Sequence, residues 1–181
     1  MSTLAIVMIV KNEEKSLSRC LKQAAGLADK LYITDTGSTD RTKEIAAAYG
    51  AAVTEYVWNQ DFAAARNFAL SQSACDWNLM LDADEYLAKG SRRELEEFLK
   101  HPDRVGAIER KDYYMEELPG GRQEMAYAYS YTSRLLPRGV GYTGRIHEQV
   151  DSGLPVYPVP LLFEHDGYLR PGKAERNLAI L

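Results

Sequence analysis

Short apolar runs and helical patterns alternate along the first hundred residues, and this alternation constrains the fold more than any other feature. The first run, Leu4–Val10 (LAIVMIV), is continuous and rich in β-branched residues, which is typical of a strand buried on both faces. Further strands are predicted at 31–34, 53–57, 78–81, 105–110 and 161–163. Strands that alternate with helices of this length form right-handed βαβ units. We therefore predict an α/β fold with a mostly parallel sheet flanked by helices.

Capping residues mark where the intervening helices begin and end. Asn12 and Asp61 are each placed to cap a helix, because their side chains accept hydrogen bonds from the first free N–H groups. Ser91–Glu94 (SRRE) has the spacing of a capping box, and Gly50 suits the end of a helix over 42–49.

The second half of the chain has a different texture. Residues 112–145 are rich in Tyr, Gly and Arg, which predicts a smaller antiparallel or irregular region. Its tyrosines suit either a half-buried sheet or the faces of sugars, since their rings are apolar and their tips polar. A helix pattern begins near Pro171 and stops at Leu181 with an unfinished apolar face, which predicts that the chain is truncated there.

Composition excludes some classes of function. The chain has 181 residues and a formal net charge of −4, whereas a nucleic-acid binder should carry a basic face. Cys20 and Cys75 have no metal-like spacing, which favours reduced, buried thiols in the cytoplasm. The Leu4–Val10 run is too short to span a bilayer and follows no basic leader, so we expect a cytoplasmic protein without a transmembrane segment.

Three polar clusters follow predicted strands, at 11–13, 35–40 and 82–85. In an open parallel sheet, ligands bind beyond the carboxyl ends of the strands, so these clusters should share one ligand edge. Asp82 and Asp84 lie two residues apart, and two such carboxylates repel unless a cation sits beside them. Mg²⁺ or Mn²⁺ takes one or two carboxylates together with phosphate oxygens. The sequence therefore predicts a divalent metal site at this edge.

The other two clusters each allow two interpretations. Asp35 is either an acceptor for a base or ribose, or part of a plain turn in which Gly37 bends the chain and Ser38 and Thr39 cap the next helix. Near Lys11–Glu13, a lysine head or main-chain N–H groups can contact a nucleotide, but the same residues suit an ordinary helix start.

The order KNEE, DTGSTD and LDADE resembles glycosyltransferase family 2, whose members adopt the Rossmann-like GT-A fold. The segments 61–67 (DFAAARN) and 144–149 (GRIHEQ) are similar to a bacterial subgroup that acts on lipopolysaccharide core or on peptides and often carries tetratricopeptide repeats. The resemblance implies a metal-dependent, inverting transfer from a nucleoside-diphosphate sugar, with UDP-sugars favoured. Implied acceptors are a saccharide, a lipid-linked or a peptide substrate, with contact at a membrane surface allowed and no nucleic acid involved.

The resemblance also implies roles for single residues. Asp35 would face the nucleobase, Asp82 the ribose or the metal, and Asp84 the metal itself. The remaining donor-site residues are expected to be Lys11, Glu13, Arg66 and Asn67, the last two near the diphosphate. Residues 1–110 would be the nucleotide-sugar-binding half and 111–181 the acceptor-side part of one domain.

The catalytic base and the last metal ligand are the least determined. Glu148, within His147-Glu148-Gln149, is the leading candidate for the base, ahead of Asp112 and Glu116. The Glu-Asp pair that marks the base in many family members is absent from this sequence, which leaves the role open. His165 is either an additional metal ligand or a structural turn histidine.

Two other classes of protein compete with this interpretation, and a third is excluded. A non-catalytic nucleotide-sugar-binding module would keep Asp35 and the acidic pair but need no base. A nucleotidyltransferase would carry a glycine-rich loop after the first strand, whereas this chain has Lys11–Glu14 (KNEE) there. A phosphatase with a DxDxT motif is excluded because Tyr86 stands where the threonine should be.

Overall fold

A computed structural model describes residues 1–146 and 148–169. The strands are β1 (Leu4–Val10), β2 (Lys30–Asp35), β3 (Ala52–Glu55), β4 (Trp77–Leu81), β5 (Glu85–Lys89), β6 (Val105–Leu118), β7 (Arg122–Pro137), β8 (Gly141–Thr143), β9 (Gln149–Asp151) and β10 (Val156–His165). The α-helices are α1 (Leu17–Ala24), α2 (Thr42–Ala48), α3 (Phe62–Ser71) and α4 (Arg92–Leu95), and 3-10 helices occupy Ala25–Leu27, Phe98–Lys100 and Gly167–Leu169. The helix predicted from Pro171 lies outside the described residues.

Eight strands form one sheet in the order β3-β2-β1-β4-β7-β6-β10-β5. The four strands β3, β2, β1 and β4 run parallel, as do β6 and β10, whereas β7 and β5 run antiparallel to their neighbours. Strands β8 and β9 form a separate antiparallel pair. The predicted α/β class with a smaller antiparallel part is confirmed.

The central strand β1 explains why its sequence is apolar at every position. Leu4, Ile6 and Met8 belong to one hydrophobic cluster, while Ala5 and Val7 belong to the other. Alternate side chains of a strand point to opposite faces, so both faces of β1 are covered. Helices α1 and α2 contribute to the first cluster and α3 to the second.

Two of the three N-cap predictions need correction. Asp61 does cap α3, since its Oδ1 accepts a hydrogen bond from the N–H of Ala64 at 2.9 Å. Asn12 does not cap α1, which begins only at Leu17; it adopts a φ of 54°, and its Oδ1 accepts from the N–H of Thr39 at 2.8 Å. Asn12 therefore ties the loop after β1 to the loop after β2.

The third cap, at Ser91, forms a helix start without the predicted hydrogen bond. Helix α4 begins at Arg92, but the Ser91 hydroxyl donates to the Glu94 carboxylate at 2.7 Å and makes no capping bond to the main chain. The Asp61 carboxylate thus satisfies a helix N–H, whereas the Ser91 hydroxyl does not.

Replacing Asp61 with alanine should destabilise the protein by about 1 kcal/mol, because the N–H of Ala64 in the first turn of α3 loses its hydrogen-bond acceptor. Urea denaturation followed by circular dichroism measures the change in the free energy of unfolding. Ser91→Ala is the matched control and should cost clearly less. An equal loss in both variants would show that the Asp61 cap contributes nothing specific.

The region expected to be irregular or antiparallel is a long antiparallel hairpin made by β6 and β7. Tyr113 lies opposite Tyr127, and the side chains of Tyr127, Tyr129 and Tyr131 are more than half exposed. Strand β6 runs across residue 110, so residues on both sides of the expected division share one sheet.

Within the described part of the chain, no helix is long and apolar enough to cross a membrane.

Candidate functional site

The carboxyl ends of β1, β2 and β4 meet at one edge of the sheet, as predicted. Val10 pairs with Asp35, and Met8 pairs with Leu81, so each strand ends next to one of the three polar clusters. The loops after β1 and β2 are also joined to one another, because the N–H of Asn12 donates to Ser38 Oγ at 2.9 Å. The structure therefore brings the three clusters together.

Asp35 has one oxygen engaged and one free of hydrogen bonds. Its Oδ1 accepts from the N–H groups of Gly37 at 2.9 Å and Ser38 at 2.8 Å, and Gly37 adopts a φ of 106° that favours glycine. Its Oδ2 is buried and has no hydrogen-bond partner among the described residues. A buried oxygen of this kind is costly unless a donor reaches it. Turn formation and ligand binding are thus compatible at this residue.

Lys11 and Glu13 lie at the same edge but differ in their surroundings. Lys11 is exposed. The Glu13 carboxylate accepts a hydrogen bond from Ser16 Oγ in the turn that precedes α1. Contact of either side chain with a nucleotide stays a prediction.

Asp82 is held by two arginines. Its Oδ1 accepts from Arg66 Nη2 at 2.9 Å, and its Oδ2 accepts from Arg134 Nη2 at 2.6 Å. Burial by itself would raise the pKa of Asp82, but the two guanidinium groups outweigh it and hold the pKa well below its usual range. Asp82 is therefore ionised at neutral pH and already paired with positive charge.

Asp84 lies on the same turn as Asp82, and its side chain faces His165. Asp84 is buried, and its Oδ2 lies 3.5 Å from His165 Nε2, while His165 Nδ1 lies 2.8 Å from Asp112 Oδ1. Burial would lower the pKa of His165, but the hydrogen bonds to Asp84 and Asp112 outweigh it and raise that pKa. The imidazole is thus oriented by Asp112 with its other nitrogen toward Asp84, as in many metal-binding histidines.

Gly167 packs closely against both of these side chains. A Cβ atom at this position would lie 2.3 Å from Asp84 Oδ2 and 2.4 Å from His165 Nε2. Any larger residue would therefore press against the carboxylate and the imidazole. The 3.5 Å separation of an oxygen donor and a nitrogen donor fits shared binding of a divalent cation of the Mn²⁺ type.

Arg66 and Asn67 on α3 have different partners. Arg66 is buried, and its Nε donates to Glu148 Oε1 at 2.7 Å, while its Nη1 has no hydrogen-bond partner among the described residues. Both ends of the Asn67 amide bind the main chain of Tyr142, each at 2.8 Å, which positions β8. Contact of Asn67 with a diphosphate stays a prediction.

A cleft of ≈ 660 Å³ joins the Asp82 turn to Glu148. Its walls include Asp82, Glu148 and Tyr142 with three arginines, Arg66, Arg110 and Arg134. Asp84, His165 and Asp35 do not line this cleft. Across residues 1–146 and 148–169, no three histidine, cysteine or acidic side chains form a ready metal-binding group, so Asp84 and His165 supply at most two protein ligands.

The other two candidates for the base have different surroundings. Asp112 is paired with His165 and Arg110, whose Nε lies 2.8 Å from Asp112 Oδ1. Glu116 is an exposed hairpin residue opposite Glu124. His147 lies outside the described residues. Glu148 is thus the one of the three candidate carboxylates that lines the cleft with Asp82.

Sequence reasoning missed a group of charged residues that hold the site together. Glu85 is fully buried, and its Oε1 accepts from Arg134 at 3.0 Å and from Arg110 at 3.3 Å. Of these residues, only Glu85 was marked by the sequence, because it is the last residue of the LDADE motif. Arg110 and Arg134 are distant in sequence, and nothing local distinguishes them from surface arginines.

Comparisons with known proteins give the family. The family model for Glycosyl transferase family 2 matches residues 5–148. A TPR repeat-containing protein of Synechococcus elongatus is 32% identical over 99% of this chain and 46% of its own length. The SPbeta prophage-derived glycosyltransferase SunS of Bacillus subtilis is 26% identical over 92% of this chain and 40% of its own.

The fold is also similar to a solved structure. S. aureus TarS superposes with a TM-score of 0.54 at 22% identity, over 65% of this chain and 23% of TarS. The chain spans less than half the length of the curated relatives named above. Because the family model covers most of the chain and the architecture agrees with the GT-A expectation, this chain belongs to glycosyl transferase family 2.

Proposed function

We propose that this chain is the catalytic part of a metal-dependent, inverting glycosyltransferase with a nucleoside-diphosphate sugar donor, UDP-sugars favoured. The observation that carries the proposal is the ligand edge of the sheet. There, Asp35 with a free buried oxygen, the Asp82–Glu85 turn and the cleft with Glu148 lie together in a family 2 chain. The name of the SunS relative, a glycosyltransferase, agrees with this activity.

The donor would bind across the carboxyl ends of β1, β2 and β4. In this proposal Asp35 Oδ2 would accept a hydrogen bond from the base, and Asp82 would accept one from the ribose. Lys11, Glu13, Arg66 and Asn67 would complete this donor half, within residues 1–110. Residues 111–181, including the exposed tyrosines of the hairpin, would form the acceptor side for a saccharide, lipid-linked or peptide substrate.

Asp84 and His165 would hold a Mg²⁺ or Mn²⁺ ion, with Asp82 close by. Bound there, such an ion neutralises negative charge on the departing diphosphate. Two protein ligands are enough for this role, because these cations commonly complete their coordination with water and phosphate oxygens. Asp112 would orient His165 from behind.

Glu148 would act as the general base that removes the acceptor hydroxyl proton. It lines the cleft, and its carboxylate accepts a hydrogen bond from buried Arg66. Inversion needs one displacement, with the acceptor entering opposite the leaving diphosphate.

We place the reaction in the cytoplasm, in agreement with Cys20 and Cys75, which are both buried and free.

The ion pair between Arg66 and Glu148 also favours a second function. One Glu148 oxygen is already engaged by the buried Arg66 guanidinium at 2.7 Å, and a module that binds the nucleotide sugar without transferring it would show the same contact.

Incubation of the chain with UDP-sugars and Mn²⁺, with UDP release as the signal, distinguishes the two functions. An enzyme should release UDP from at least one donor above the rate with EDTA, by hydrolysis where no acceptor is present. UDP binding without any donor turnover would favour the binding module.

Gly167→Ala should weaken metal-dependent turnover by at least about 10-fold, because the new methyl group would press against Asp84 and His165 and displace both side chains. The measurement is the Mn²⁺ concentration for half-maximal activity. Gly153→Ala is the matched control, since a Cβ there meets nothing within 4 Å. Equal Mn²⁺ requirements in both variants would place the metal elsewhere.

A further inference from the structure

Arg134 occupies an unusual position in the sheet. Leu135 lies opposite Gly106 and Ser133 lies opposite Ala107, so the register leaves Arg134 as the extra residue of a β-bulge in β7. A bulge redirects a side chain that regular pairing would point elsewhere. Gly106 accommodates it, because a Cβ there would lie 2.8 Å from Leu135 Cβ and 2.9 Å from a Val159 methyl group. The bulge and the close packing at Gly106 therefore set the direction of the Arg134 side chain.

The redirected guanidinium closes a ring of hydrogen bonds around the acidic turn. Arg134 Nη2 donates to Asp82 Oδ2 at 2.6 Å and to Glu85 Oε1 at 3.0 Å. Glu85 Oε2 in turn accepts from the N–H of Asp82 at 3.0 Å, and the N–H of Glu85 donates to Asp82 O at 3.0 Å. The turn that carries Asp84 is therefore fixed through both its main chain and its side chains.

Stability alone does not account for this arrangement. A buried ion cluster is often no more stabilising than apolar side chains of similar volume, because each charge loses its hydration. Here Arg134 and Glu85 are both buried, and Arg134 Nε has no hydrogen-bond partner among the described residues. Together with Arg66, which binds Asp82 Oδ1, Arg134 does fix the orientation of the Asp82 carboxylate.

We propose that Arg134 is a positioning residue for the donor site, which acts by holding Asp82 and, through Glu85, the turn that leads to Asp84. The inference rests on the proposed function, since it takes Asp82 as a donor contact. Arg134 itself need not touch the donor. Its effect on donor affinity should therefore depend on the presence of the Asp82 carboxylate.

A double-mutant cycle on UDP affinity tests this dependence. Isothermal titration with UDP and Mn²⁺ is carried out on the wild type, Arg134→Lys, Asp82→Asn and the double variant. Lysine keeps the charge but lacks the planar guanidinium that binds Asp82 and Glu85 together. Arg134→Lys should therefore weaken UDP binding by about 10-fold. The double variant should bind within about 2-fold of Asp82→Asn, because coupled residues are not additive. Arg122→Lys, an exposed change on the same strand, should bind UDP as the wild type does.

Each contrary result has a distinct meaning. A folded Arg134→Lys with wild-type affinity, or losses that multiply in the double variant, would overturn the positioning role. If Arg134→Lys does not fold, Arg134→Gln takes its place in the cycle, and failure of both to fold would make Arg134 a stability residue only. A wild-type chain that binds no UDP with Mn²⁺ would instead refute the proposed function, and this inference with it.

Discussion

Asp84→Asn should reduce sugar transfer by roughly 10³-fold or more while the protein stays folded, because the change removes the anionic ligand expected to hold the metal. Asparagine has nearly the same shape, so the buried site beside His165 keeps its packing. The measurement is the initial rate of UDP release or transfer at saturating Mn²⁺, together with the melting temperature.

Asp151→Asn, an exposed change on β9, is the control and should leave the rate unchanged. Wild-type turnover by purified Asp84→Asn would show that the metal assignment is wrong. A low rate that Mn²⁺ at high concentration restores would instead show that Asp84 contributes affinity for the metal and little else.

Glu148→Gln should lower the transfer rate by roughly 10²–10⁴-fold, the usual contribution of a general base. UDP affinity should be retained, since the amide oxygen of glutamine can still accept the hydrogen bond from Arg66 Nε. Steady-state kinetics at saturating donor and acceptor, combined with UDP titration, separates the two effects.

Glu124→Gln on the exposed hairpin is the control for a loss of charge alone. An unchanged rate in Glu148→Gln would remove Glu148 from catalysis and return the search to acidic residues elsewhere. A loss of UDP binding equal to the loss of rate would identify Glu148 as a support for Arg66, with no role in proton transfer.

The fold was largely predictable because its signals are local. The apolar run of β1 and the helix–strand alternation that follows it are readable from neighbouring residues, and β1, β2, β3 and β4 form as predicted. The hairpin was only half predicted, since its tyrosines suit a sheet without indicating its length. Strand β5 was missed because Glu85–Lys89 is short and its pairing with β10 is distant in sequence.

The position of the site was predictable, but its internal contacts were not. Strand ends placed Asp35 and Asp82 at one edge without any knowledge of pairing. The contact between Asp82 and Arg134 depends on a bulge in β7, and bulges leave no reliable mark in a single sequence. Asn12 is a similar case, because its side chain binds a loop 27 residues away in place of its own helix.

Thermal denaturation with UDP, in Mn²⁺ or in EDTA, tests most directly whether this edge of the sheet binds a nucleotide through a metal. At a UDP concentration 100 times the dissociation constant, binding adds about 2.7 kcal/mol to the free energy of unfolding. For a chain of this length that corresponds to a rise in melting temperature of roughly 5–10 °C. We expect this rise in the wild type with Mn²⁺, and little or none in EDTA or in Asp84→Asn. No rise at millimolar UDP, or the same rise in EDTA and in Asp84→Asn, would contradict a metal-held nucleotide at this site.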